Sequence, residues 1–122
     1  MSDAFHVDCP ARAVLEHVTS RWATLILTGL RDGPLRFSEL RARIEAISEK
    51  MLSQTLRTLV EDGLIARTVH PSTPPAVSYR LTELGDGLTH LLHGLMTWIG
   101  EHADDVQAAR ATYRTGASLA GR

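Results

Sequence analysis

The chain has 122 residues and a mass of 13.4 kDa, which is the size of a single domain. Its hydrophobic content of 43% is enough for a core and too high for a disordered chain. The balance of 13 basic and 14 acidic residues excludes a histone-like coat for DNA but allows a local basic patch. Because there is no membrane-length apolar run and no signal-peptide pattern at the start, we expect a cytoplasmic protein.

The N-terminal quarter of the chain carries the signals of two helices. Asp8 is a potential cap for the first, in which Pro10 occupies the first turn. Thr19 or Ser20 can cap the second, which is apolar nearly all round and is therefore expected to form the buried centre. Glycine and proline within residues 29–34 end this second helix.

A short extended piece at residues 35–37 precedes the third helix. Ser38 is expected to cap this helix, which runs through Ile44. A brief link at residues 45–47 then separates it from a fourth helix. Two helices joined by so short a link are typical of a helix-turn-helix.

The fourth helix is the most regular of the chain. Ser48 can cap its start, and Asp62 followed by glycine ends it. Its apolar positions form a single stripe that we expect to be buried, made of Leu52, Leu56, Leu59 and Val60.

Beyond the fourth helix the pattern changes to one of period two. In residues 64–70 and again in residues 77–81, the side chains alternate in type with a period of two. A proline-rich loop at residues 71–75 separates the two stretches, which predicts a hairpin. Thr82 can cap a long last helix, and the polar tail from Ala103 onward is expected to fray in part. The helix carries an apolar stripe over four turns, made of Leu84, Leu88, Leu91, Leu92, Leu95, Met96 and Ile99, with Trp98 beside it.

The order of these elements predicts a mainly α (α+β) fold, a winged helix-turn-helix. The hairpin would be a two-stranded wing, and the long C-terminal helix would serve dimerisation, since its stripe exceeds what one small domain usually covers. We expect one domain over residues 1–122, with a core at about residues 9–103.

Short motifs from Cys9 to Trp98 resemble the HxlR family of bacterial and archaeal transcription regulators, within the wider MarR-like group. They include Cys9-Pro10, Arg21-Trp22, Gly33-Pro34, Arg36-Phe37-Ser38-Glu39-Leu40, Ile47-Ser48-Glu49-Lys50-Met51-Leu52, Asp62-Gly63-Leu64-Ile65, Pro74-Pro75, and Leu81-Thr82-Glu83-Leu84-Gly85. The resemblance implies a homodimer, joined by the first and last helices, that binds a pseudo-palindromic operator in double-stranded DNA. It does not imply an enzyme, and the chain has no phosphate-cradling or nucleophile motif.

The fourth helix is predicted to be the recognition helix, whose N-terminal turns meet base edges in the major groove. Gln54 can pair with adenine, and Arg57 with guanine or a phosphate. Residues 31–80 carry a net charge of +2, whereas the rest of the chain carries −3. The predicted DNA-binding residues are Arg36, Ser38, Ser48, Lys50, Met51, Ser53, Gln54, Arg57, Arg67, His70 and Arg80.

The single cysteine, Cys9, lies at the start of the first helix, where the helix N-terminus favours a reactive thiolate. The resemblance implies a sensor of quinones, aldehydes or oxidants. The alternative is a cysteine kept for packing. Our hypothesis is a repressor that loses operator affinity when Cys9 is modified.

Other interpretations of the sequence remain open. A small-molecule effector could bind at the dimer interface without a covalent bond, in a pocket formed by His17, Trp22, His93, Met96 and Trp98. The spacing of His90 and His93 suits a metal, but no cluster completes the ligand set, so we predict no metal and no cofactor. A protein–protein adaptor is the alternative of another class.

Overall fold

The structure is a computed structural model that describes residues 4–116. The chain divides after Leu92 into two compact units, and α5 runs through the division. The order of elements is the predicted one: α1 (Pro10–Val18), α2 (Arg21–Gly29), β1 (Leu35–Arg36), α3 (Phe37–Arg43), α4 (Glu49–Glu61), β2 (Ile65–His70), β3 (Ala76–Leu81) and α5 (Glu83–Arg114).

The first two helices begin at defined caps. The cap of α1 is Cys9 and not Asp8 as predicted, because Pro10 takes the first helical position and leaves the extended residue before it as the cap. The prediction for α2 is confirmed in its Ser20 alternative, since the hydroxyl of Ser20 accepts a hydrogen bond from the backbone N–H of Ala23 at 3.3 Å.

The helix α3 begins earlier than predicted, and its cap is Arg36 rather than Ser38. The backbone N–H of Arg36 donates to the carboxylate of Glu39 at 2.8 Å, which closes the first turn. The helix also ends earlier, because Ile44 is its C-cap residue with an extended backbone.

The sheet is antiparallel and has three strands in the order β1-β3-β2. The predicted hairpin of β2 and β3 is confirmed, with Arg67 opposite Tyr79. The sheet gains a third strand that was not predicted, because β1 pairs with β3, with Leu35 opposite Tyr79. Leu64 lies outside β2, since its N–H instead closes the end of α4 on the carbonyl of Leu59 at 3.0 Å.

The core of the first unit lies around α2, as predicted. Ile26 and Leu27 are fully buried, and Trp22 and Leu25 pack against the same cluster. The buried stripe of α4 meets them, and its members are Leu52, Leu56 and Leu59, with Val60 at the edge of the cluster.

The last helix is longer than expected. It continues to Arg114, so the prediction of fraying from Ala103 is wrong for this stretch. Alanine, glutamine and arginine are strong helix formers, which explains why a polar tail stays helical. Residues 117–122 lie outside the described part. Among the helices of residues 4–116, none is both long and apolar enough to span a membrane.

Candidate nucleic-acid interface

The turn between α3 and α4 is held by two buried side chains and one cap. Ile44 and Ile47 are each 5% exposed and anchor the turn in the core. Between them Ala46 has a φ of 72°, a left-handed conformation that is uncommon for alanine. The hydroxyl of Ser48 accepts a hydrogen bond from the N–H of Met51 at 3.0 Å, so the predicted cap of α4 is confirmed.

The helix α4 has one buried face and one exposed face. Its apolar stripe is buried in the core, whereas Met51 is 37% exposed and lies on the same side as the polar side chains. The five residues of α4 predicted to contact DNA are all exposed: Lys50, Met51, Ser53, Gln54 and Arg57. A helix with this surface can enter the major groove without losing its packing on the domain.

The start of α3 lies beside the sheet. Arg36 ends β1 opposite Ser78 of β3, and Ser38 is in the first turn of α3. Both side chains are exposed.

The wing presents its predicted residues on two faces. By the strand register, His70, Ser78 and Arg80 share one face of the sheet, and Arg67 lies on the other with Tyr79. The ring nitrogen Nε2 of His70 is 2.9 Å from the hydroxyl oxygen of Ser78, so the two are hydrogen-bonded across the strands. The structure therefore does not bring Arg67 and Arg80 together.

Instead, Arg67 faces α4. A cleft of about 260 Å³ between α4 and the sheet is lined by Ser53, Arg57 and Arg67, three of the predicted DNA-binding residues. Glu61 and Tyr79 also line it and were not predicted. No local sequence pattern identifies such a cleft, because its walls come from elements distant in the chain.

The cations of this surface are available to an external anion. Within residues 4–116, no ion pair engages Lys50, Arg57, Arg67 or Arg80. Arg41 differs, since its guanidinium lies 3.6 Å from the carboxylate of Glu49. Arginine side chains of this kind are suited to phosphate oxygens.

The C-terminal end of α4 is closed at Gly63, as predicted, and two further contacts that were not predicted, from Thr82 and His17, hold it. The N–H groups of Gly63 and Leu64 bond back to the carbonyls of Val60 and Leu59, the Schellman pattern, and Gly63 has the left-handed φ of 75° that this pattern requires. The hydroxyl of Thr82 donates to the carbonyl of Gly63 at 2.6 Å.

The same hydroxyl of Thr82 accepts from the N–H of Gly85 at 3.0 Å, as predicted for the cap of α5. On the other side of the turn, Nδ1 of His17 lies 2.8 Å from the carboxylate of Asp62. The sequence feature that could have indicated the contact of His17 with Asp62 is the aspartate itself, because a negative charge is unfavourable at a helix C-terminus.

Cys9 is half-buried at the N-cap of α1. Its backbone carbonyl accepts the N–H of Arg12 at 2.9 Å. The guanidinium of Arg12 donates in turn to the carbonyl oxygens of Ala4 and Phe5 at 2.6 and 3.0 Å, and so holds the N-terminal arm beside the same helix.

The five residues predicted to form an effector pocket fall in both compact units, and the pocket stays a prediction. His17 is hydrogen-bonded to Asp62, and Trp22 is half-buried and packs against the core. Trp98 is 52% exposed and stacks on the ring of His102, with centroids 4.6 Å apart. On α5 lie His93, Met96 and Trp98.

The two histidines considered for a metal lie on exposed turns of α5. His90 is 3.6 Å from the carboxylate of Asp86. In the part of the chain that the structure describes, no three side chains among histidine, cysteine, aspartate and glutamate are grouped closely enough to hold a metal ion.

Comparison with known proteins gives consistent results. A family model described as HxlR-like helix-turn-helix matches residues 17–107. The HTH-type transcriptional regulator YtfH of Escherichia coli K12 is 47% identical over 106 residues, which cover 87% of this chain and 84% of that protein. The structure of the transcriptional regulator ytfH from Salmonella typhimurium has a TM-score of 0.87 and 45% identity, and the match covers 91% of this chain and 99% of the other.

A second solved structure that matches this chain is that of a redox regulator. The structure of the redox regulator HypR in its oxidized form is 32% identical to this chain with a TM-score of 0.71. The match covers 76% of this chain and 96% of HypR.

Proposed function

The chain belongs to the HxlR-like helix-turn-helix family, and on that premise we propose that it is a dimeric repressor whose operator binding is switched through Cys9. Family membership makes it a DNA-binding transcriptional regulator of the MarR-like winged-helix type and not an enzyme. The dimer, the operator contacts, the repressor role and the switch are the proposed parts. We place its action at chromosomal DNA in the cytoplasm.

The exposed face of α4 is the observation that carries the operator contacts. Its N-terminal turns present Lys50, Ser53 and Gln54 on a helix whose opposite face is buried. Arg57 and Arg67 flank the cleft beside this helix, and neither has an ion-pair partner among the described residues 4–116. We assign base reading to the N-terminal turns and phosphate contact to the two arginines.

The dimer is supported by apolar side chains along α5. Leu91 is 73% exposed in the single chain, and Leu95 and Trp98 are about half exposed. Large side chains of this kind in a continuous stripe mark an interaction surface. A second copy of the chain covers this stripe in our proposal and supplies the second recognition helix for a pseudo-palindromic site.

The switch is supported by the position of Cys9 and by the likeness to a redox regulator. A thiolate at a helix N-terminus is favoured by the helix dipole and reacts with electrophiles. With one thiol per chain, the products are an adduct with a quinone, a mixed disulfide with a small thiol, or a Cys9–Cys9 disulfide between the two subunits.

The test is a gel-shift titration of reduced protein on the DNA upstream of its own gene, with scrambled DNA of equal length as the control. Salt is held constant, because phosphate contacts make affinity salt-dependent. We expect specific binding that benzoquinone abolishes for the wild type and leaves intact for Cys9→Ser.

Three other results would contradict parts of the proposal. Release of Cys9→Ser by the quinone as readily as the wild type would eliminate the thiol switch. Specific binding indifferent to oxidants would favour a non-covalent effector at the dimer interface. The absence of any preference over scrambled DNA would refute the operator contacts and favour the adaptor.

A further inference from the structure

The C-terminal end of α4 carries a charge that the helix itself does not explain. Asp62 is the C-cap residue, and Glu61 is the last helical residue. The partial negative charge at a helix C-terminus repels carboxylates, so helix stability alone disfavours an acid there. The side chain of Asp62 is also partly buried, with 23% of its surface exposed.

The residue that contacts Asp62 lies far from it in the sequence. His17 lies 45 residues earlier, in the last turn of α1, and its Nδ1 is 2.8 Å from Oδ2 of Asp62. The pair therefore joins two helix ends by one side-chain hydrogen bond.

A groove of about 270 Å³ lies beside this contact. One wall comes from the end of α1 and the start of α2, and the other wall comes from α4. Its walls include Met51 and Gln54, two residues of the DNA-contacting face. Among side-chain hydrogen bonds and ion pairs within residues 4–116, the His17–Asp62 contact is the one that connects α1 to the end of α4.

We propose that His17 is a positioning residue for operator binding, which fixes the C-terminal end of the recognition helix to α1 through Asp62. The inference rests on the proposed operator function and adds a residue to it. The contact ties α4 to the helix that begins at Cys9, so a displacement of α1 is transmitted to the DNA-reading element.

Three variants test the proposal by fluorescence anisotropy on the operator at constant ionic strength. His17→Ala removes the contact and should weaken binding about five- to tenfold. His17→Asn keeps an N–H donor at the position of Nδ1, and should restore most of the affinity. His90→Ala is the matched control, because it breaks an exposed histidine–aspartate pair with Asp86 on α5.

Equal affinities for His17→Ala and His90→Ala would overturn the proposal. So would an affinity of His17→Asn no higher than that of His17→Ala. Failure of the wild type to prefer the operator would refute the proposed function instead.

A second measurement does not depend on DNA. Hydrogen exchange of the amide of Leu64, which closes the end of α4, should be faster in His17→Ala than in His90→Ala. Equal exchange in the two variants would show that His17 does not hold this end of the helix.

Discussion

The close contact between α5 and the end of α4 can be tested at one glycine. Gly85 lies in the first turn of α5, and a Cβ atom built there would be 1.9 Å from the carbonyl oxygen of Leu64 and 2.8 Å from its carbon. The obstacle is backbone, and this carbonyl also accepts the N–H of Thr82 at 3.1 Å. Gly85→Ala therefore has to displace the turn that follows the recognition helix.

The magnitude follows from three terms. Overpacking costs about 1–3 kcal/mol, disturbing the hydrogen bond of Thr82 adds about 1 kcal/mol, and replacing glycine within a helix returns about 1 kcal/mol. We expect Gly85→Ala to lower the free energy of unfolding by about 1–3 kcal/mol. Gly87 is the control, because its Cβ would meet nothing within 4 Å. Gly87→Ala should stabilise the protein by about 0.5–1 kcal/mol.

Urea denaturation followed by circular dichroism measures both variants at one protein concentration, because dimer dissociation contributes to the apparent stability. The two midpoints should move in opposite directions from the wild type. A Gly85→Ala protein within about 0.5 kcal/mol of the wild type would refute the close approach of α5 to the end of α4.

Two further predictions concern the helix-turn-helix itself. Ala46→Gly relieves the left-handed backbone of the turn and should stabilise the protein by about 0.5–1 kcal/mol in urea denaturation, whereas Ala42→Gly inside α3 should destabilise it by about 1 kcal/mol; the same sign for both would contradict the assigned turn. Arg57→Ala should weaken binding to operator and to scrambled DNA alike and lower the salt slope of log affinity by about 1, and a loss confined to the operator would assign this arginine to a base instead.

The elements that could be predicted from the sequence are those set by contacts within one turn of the chain. Ser20, Ser48 and Thr82 each accept an N–H three residues later, and a serine or threonine before an apolar period is a local signal of that bond. Ser38 gave the same signal and was wrong, because the strand pairing of Arg36 ended the extended segment two residues before it.

The features that were missed depend on residues far apart in the chain. The register of Leu35 opposite Tyr79 brings β1 into the sheet, and nothing within a two-residue strand specifies it. The cleft lined by Arg57 and Arg67 was missed for the same reason, as was the contact of His17 with Asp62. Sequence patterns thus identified which residues are exposed on the recognition helix but not which ones are brought together around it.

The way α4 is held limits how an effector can act on it. Its start is closed by Ser48, its end by the Schellman turn and Thr82, and its inner face is buried against the core, so the helix moves only with its supports. The helix α1 has nine residues and is about 13 Å long, with Cys9 before one end and His17 in the last turn of the other. Because a short helix behaves as a rigid body, a modification that tilts α1 at Cys9 displaces its other end, where the bond to Asp62 lies. The switch in our proposal therefore needs no unfolding of the recognition helix, only a change in the support on which its end is fixed.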